Sequence, residues 1–211
     1  MTDLIRRRLL AVAAALACAA AVPGAAGAAA SWPMSGQNLA NTRNQPAERT
    51  FSTTTAAQLV PKWVATTGGS VSATPAVDGN AVYVPDWGGN LFRFNAATGH
   101  VVWQHQIAEY NGIAGSVSRT GPAVDGGSVF VGSQTGGDLI AVSAKTGAKL
   151  WVTQLDAHPD AVVTSAPVVA NGVIYVGVSS SEESSAANPA YACCTFRGSV
   201  VALDEATGRI I

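Results

Sequence analysis

The sequence predicts an all-β fold: a β-propeller of four-stranded antiparallel blades, incomplete, with about three blades present. A threefold repeat is the first observation behind it. Thr74-Pro-Ala-Val-Asp-Gly, Gly121-Pro-Ala-Val-Asp-Gly and Ala166-Pro-Val-Val-Ala-Asn-Gly open three segments that align with one another. Their prolines, Pro75, Pro122 and Pro167, are spaced by 47 and then 45 residues, a period that belongs to propeller blades. Second, no segment carries the 3.6-residue apolar period of a helical solenoid. Third, the chain is 48% hydrophobic and 12% charged, with 22 glycines; that suits short strands and tight turns and is too apolar for disorder.

Residues 1–30 read as an export leader. Arg6, Arg7 and Arg8 form its positive region, and the apolar run 9–22 is too short for a stop-transfer helix. The arginines suit general secretion and also resemble a twin-arginine signal. Cys18 lacks the leucine three positions upstream that a lipid anchor would use. Residues 31–73 form an N-terminal segment. Within it Val60-Pro-Lys-Trp63-Val64 looks like the last strand of a blade without its three predecessors.

Residues 74–211 hold the three blades, the last cut short. In each, Asp78-Gly79, Asp125-Gly126 or Asn171-Gly172 marks a first hairpin, because a primed turn needs the positive φ that Gly and Asn tolerate. Thr98-Gly99, Thr146-Gly147 and Thr207-Gly208 mark the last. Trp103 and Trp151 lie four residues beyond the glycine of that turn, and the third unit stops one residue short of the matching position. The expectation is therefore a fragment of a longer propeller. A tryptophan recurring once per blade at one strand position reads as packing between blades, not as a cofactor contact.

The repeat is broken in one place. Between second and third strands the first unit has six residues (85–90) and the second seven (132–138), but the third has 23 (177–199). Such an insertion on a regular scaffold carries function or is disordered. It contains Glu182, Glu183, Tyr191, Cys193, Cys194 and Arg197. Antiparallel order puts it on the same face as the blade exits 107–120 and 153–165. Those contribute Glu109, Tyr110, Asn111, Arg119, Asp156, His158 and Asp160, residues that a wet loop would carry in any case.

Cys193 and Cys194 are adjacent. Ordinary disulfides join Cα atoms roughly 4.4–6.8 Å apart, whereas trans neighbours stand about 3.8 Å apart. In an exported chain a bond between them is permitted and is the preferred reading; it would present a flat, rigid sulfur surface. A metal pair, two intermolecular bonds and free thiols remain the alternatives. A metal pair lacks further cysteines and nearby histidines.

These residues carry a family resemblance over the whole of the chain beyond the leader. The Thr-Gly-x-x-x-Trp repeat is similar to that of pyrroloquinoline-quinone (PQQ) enzymes. Trp32-Pro-Met-Ser-Gly-Gln-Asn-Leu-Ala-Asn-Thr-Arg43, Ser118-Arg-Thr120, Asp156-Ala-His-Pro159, Gly177-Val-Ser-Ser-Ser-Glu-Glu183 and Cys193-Cys-Thr-Phe-Arg-Gly-Ser199 resemble the polyvinyl-alcohol-dehydrogenase group of quinoproteins. The resemblance implies PQQ sandwiched between a vicinal disulfide and a tryptophan, with Ca²⁺ polarising the reactive carbonyl. It would place Cys193 and Cys194 on one wall and Arg197 on a cofactor carboxylate, where a guanidinium fork fits. Arg119 would be a second carboxylate partner, and Glu182 or Glu183 would meet the cation, which wants several oxygens.

The implied reaction is oxidation of a secondary alcohol to a ketone by hydride transfer to the quinone, in a periplasmic or secreted protein. No residue stands out as the base that takes the hydroxyl proton. The chain has no Cys-x-x-Cys-His, so electrons would pass to a separate acceptor such as a cytochrome c. A net charge of −1 leaves no footprint for nucleic acid and no polybasic membrane patch, and no stable membrane span is expected. The competing readings are a non-catalytic propeller scaffold of similar repeats and an inactive truncated product.

Overall fold

The structure, a computed structural model, describes residues 31–211, so the expected leader lies outside the described residues. In the first blade β1 (Ala76–Asp78), β2 (Ala81–Pro85), β3 (Asn90–Asn95) and β4 (Val101–Gln106) pair antiparallel in chain order. A short helix α1 (Ile107–Asn111) leads out of it. The second blade repeats the meander with β5 (Ala123–Asp125), β6 (Ser128–Gly132), β7 (Asp138–Ser143) and β8 (Lys149–Gln154). A two-residue strand β9 (Ala161–Val162) precedes the third blade, which contains β10 (Val168–Ala170), β11 (Val173–Ser180) and β12 (Ser199–Asp204). Its fourth strand is represented by a single bridge, Leu203 to Ile210.

The first hairpins turn one residue later than the sequence suggests in two blades. Asp78 pairs with Ala81 and Asp125 with Ser128, so Gly79-Asn80 and Gly126-Gly127 make the turns. In the third, Asn171 and Gly172 turn as expected, at φ 54° and 76°.

Strand alternation puts the second blade between two cores. Val129, Val131, Ile140 and Val142 face the first blade's Tyr83, Leu91 and Trp103. The intervening residues Phe130, Leu139 and Ala141 face the third blade's Val169, Ile174 and Leu203. The blades thus form one continuous stack.

The tryptophans are the couplings in that stack. Trp103 Nε1 donates to Ala144 O (3.2 Å) and Trp151 Nε1 to Glu205 O (3.1 Å), each in the last turn of the following blade. Their rings pack against Gly147 and Gly208 at φ +74° and +71°; a Cβ at Gly147 would meet His105 at 2.5 Å and Trp103 at 2.9 Å, and one at Gly208 would meet Trp151 at 2.5 Å. Residues 60–64 pair with no strand among the described residues, yet Trp63 makes the same contact with the first blade. Its Nε1 donates to Ala96 O (2.9 Å) and its ring covers Gly99. The repeated tryptophan is interblade packing, as its spacing suggests.

The N-terminal segment ties the inner strands together. Trp32 bridges Val77 of β1, Pro33 O accepts from Val124 N of β5 (2.7 Å), and Met34 is buried in the core between the second and third blades.

Candidate functional site

The 23-residue insertion is shorter as a loop than the repeat suggests, because β11 overruns its blade. Val178 pairs with Ser199, and the strand continues to Ser180, where Ser179 and Ser180 pair with Val162 and Ala161 of β9. The irregular stretch is 181–198. It starts with one turn of helix, α2 (Glu182–Ser185), whose base is pinned to the exit of the second blade. Ser181 N donates to Asp160 O (2.9 Å) and Ser185 Oγ to Asp160 Oδ1 (3.0 Å).

Glu182 is buried, at 4% exposure, and its carboxylate collects the rest of the loop. Oε1 accepts from Tyr191 OH (2.7 Å), Thr195 N (2.6 Å) and Thr195 Oγ1 (3.1 Å), and Oε2 from Phe196 N (3.0 Å). Burial by itself raises the carboxyl's pKa. The donations from Tyr191, the two backbone N–H groups and the Thr195 hydroxyl outweigh it and hold the group down at about 2. Tyr191 is pushed up to about 12, chiefly because its phenol donates to that carboxylate and also because it is shielded from water. Its hydroxyl stands 3.1 Å from Asp160 Oδ2 as well.

His158 completes the tie. Nε2 lies 2.8 Å from Thr195 Oγ1, and Nδ1 accepts from Asp160 N (3.1 Å). Nδ1 is thereby the acceptor nitrogen, so Nε2 donates to Thr195 Oγ1, whose hydroxyl in turn donates to Glu182. The imidazole also packs edge-on to Phe196, with centroids 5.5 Å apart.

Cys193 and Cys194 lie in the turn closed by these bonds. They form a disulfide with each other, across a cis peptide, and both residues are exposed. Arg197 is exposed beside them. Its Nη1 donates to Cys194 O (3.0 Å) and Phe196 O (2.7 Å), which ties the guanidinium to the backbone of the cysteine turn. A sulfur face with an adjacent cation fits a planar, multiply anionic group.

Among the described residues no three His, Cys, Asp or Glu side chains lie together as a metal cluster. Glu182 is committed to its four donors. Glu183 is exposed.

The structure divides the residues expected on this face. His158 and Asp160 join the insertion directly. Arg119 does not: it is exposed and lies over the Trp87 ring, 5.9 Å from its centroid. Glu109 pairs with His105 (3.1 Å), and Tyr110 turns inward to Gly147 O (2.8 Å), where burial raises its pKa. Asn111 donates to buried Asp138 (3.1 Å), whose pKa burial also raises. Sequence reasoning gave Thr195 no role, although it directly follows the cysteines; as the contact of both Glu182 and His158, it is the junction of the loop. A separate cavity of about 350 Å³ lies at the hairpin end of the second and third blades, lined by Gly126, Leu150, Trp151 and Glu205. That end is opposite the insertion.

A family model described as Outer membrane protein assembly factor BamB, of the PQQ_2 repeat type, matches residues 29–190. A polyvinylalcohol dehydrogenase of Pseudomonas sp. is 29% identical over 180 residues, covering 85% of this chain and 28% of its own length. The polyvinylalcohol dehydrogenase of Sphingopyxis sp. (strain 113P3) is 34% identical over 158 residues, covering 71% of this chain and 23% of its own. The chain thus spans about a quarter of the length of these relatives. Among solved structures, the quinohemoprotein alcohol dehydrogenase from Comamonas testosteroni superposes with a TM-score of 0.67 at 25% identity, over 88% of this chain and 27% of that one. No helix among the described residues is long and apolar enough to cross a membrane.

Proposed function

Because the chain belongs to the PQQ_2 repeat family of β-propellers, we propose that it forms part of an exported, PQQ-dependent alcohol dehydrogenase that oxidises secondary alcohols, polyvinyl alcohol among them. The observation that carries this reading is the exposed Cys193–Cys194 disulfide with Arg197 beside it, on a loop anchored to two blades. The named relatives are alcohol dehydrogenases, which supports oxidoreductase chemistry.

In this reading the disulfide is one wall for the cofactor and Arg197 pairs with one of its carboxylates. Arg119 is a further carboxylate partner only if the cofactor extends to Trp87. The quinone, when bound, supplies the hydride acceptor. This chain's own residues bind and orient it and exclude water from one of its faces. Ca²⁺ would draw on Glu183 and, less readily, on Glu182, with further oxygens from elsewhere, and no step is assigned to it. The base that takes the alcohol proton is not assigned to this chain. Electrons would leave to a separate acceptor such as a cytochrome c, and the leader 1–30 would send the protein to the periplasm or beyond.

The test is reconstitution of the protein carrying this chain with PQQ and Ca²⁺, followed by dye reduction with secondary alcohols. Turnover is expected. Replacing both cysteines by serine should weaken quinone binding about tenfold or more, the scale of losing one stacking face. The family description itself favours a second reading, a scaffold that binds no quinone. Wild-type protein whose tryptophan fluorescence is unmoved by PQQ would favour the scaffold.

A further inference from the structure

The turn that carries the cysteines has few contacts of its own. Cys193 N donates to Tyr191 O (2.9 Å) and Arg197 reaches back to Cys194 O, but both cysteines face solvent. Their position is set from either side by one carboxylate. Tyr191, two residues before the pair, and Thr195 and Phe196, immediately after it, all donate to Glu182. Glu182 in turn sits on α2, whose base is fixed by Asp160 on the second blade's exit, and Thr195 is tied to the same exit through His158. Four donors converging on two oxygens require a carboxylate. An amide of the same shape would turn an N–H toward another N–H.

We propose that Glu182 is the positioning residue of the Cys193–Cys194 wall: its buried carboxylate gathers Tyr191, Thr195 and Phe196 and so fixes the disulfide relative to the second and third blades. Its consequence for a cofactor rests on the quinone site proposed above; the anchoring does not. This role differs from cation binding, because it operates without any metal and acts through the loop backbone.

The experiment compares wild type with E182Q and Y191F in the protein carrying this chain. It reads amide hydrogen exchange at Thr195 and Phe196, the rate of disulfide reduction by a small thiol, and PQQ affinity with and without Ca²⁺. For E182Q, exchange and reduction should each rise about tenfold or more, the scale of one lost charge-assisted hydrogen bond. PQQ affinity should fall by a similar factor at every Ca²⁺ concentration, while exchange in β10 and β11 stays unchanged. Y191F, which keeps the carboxylate, should shift exchange and reduction in the same direction by less, and it carries the test should E182Q not fold. The proposal is overturned if exchange and reduction stay at wild-type rates in the variants. If excess Ca²⁺ restores quinone binding to E182Q, the consequence for the cofactor is overturned, because Glu182 would then act on the quinone through the cation. If wild type binds no PQQ while the variants still loosen the turn, the quinone reading falls and the anchor stands.

Discussion

Glu182 and Tyr191 share one hydrogen bond, and each shifts the other's titration away from neutrality. Glu182 has its pKa lowered from 4.5 to about 2, so its contribution is complete above about 4.5 and disappears as the pH falls through about 2. Tyr191 has its pKa raised from 10.0 to about 12, so its contribution is complete below about 10 and disappears as the pH rises through about 12. The 191–196 turn is therefore expected to keep constant amide protection at Thr195 and Phe196, after correction for intrinsic exchange, between these limits. Protection should decline on either side of them. A decline centred between them would rule out this pair as the controlling groups. At this scale the sequence supplied the side chains and the neighbourhood of exit and insertion. It did not supply Thr195, because no spacing rule links a threonine to a carboxylate 13 residues earlier and an imidazole 37 residues earlier across an irregular loop.

Among the elements, the last turn of each blade does two jobs that substitution can separate. Gly147 has φ +74° and lies under Trp103 and His105, whereas Gly112, also at φ +74°, has open space where a Cβ would go. Gly112→Ala should cost only the left-handed backbone penalty, about 1–2 kcal/mol. Gly147→Ala should add about 1–3 kcal/mol for displacing the docked rings. Urea midpoints at constant m-value would check the difference; equal losses would mean that the docked Trp103 and His105 rings contribute nothing at that junction. The Thr-Gly turn and the tryptophan four residues later were both legible in the sequence. That each tryptophan reaches forward to the next blade's glycine was not, because the contact spans 44 residues in the case of Trp103 and Gly147 and is set by how sheets stack.

At the scale of the whole molecule, the described residues form a stack of sheets with exposed apolar surface. Val200 is 77% exposed and Tyr175 45% on the third blade, and Val60 and Val64 are 79% and 85% exposed near the first. Among the described residues, β12 is met on its far side by the Leu203–Ile210 bridge and by Ile211 N, which donates to Ala202 O (2.9 Å). A polypeptide of residues 31–211 should therefore self-associate in sedimentation velocity, and Val200→Lys should shift it toward monomer. A wild-type monomer at high concentration would show these surfaces to be innocuous. By itself the sequence determined the repeat, the strand order within each blade and the Thr-Gly turns, because these follow from local φ preferences and a side-chain period of two, though it set the first turn one residue early in two blades. It also exposed the interrupted repeat and the adjacent cysteines. Only the tertiary structure decided which polar residues meet. It joined His158 and Asp160 to the disulfide loop, kept Arg119 on Trp87 and turned Tyr110 into the core. Those outcomes depend on the angle at which whole sheets pack and on how far β11 overruns its blade, quantities that no local pattern encodes.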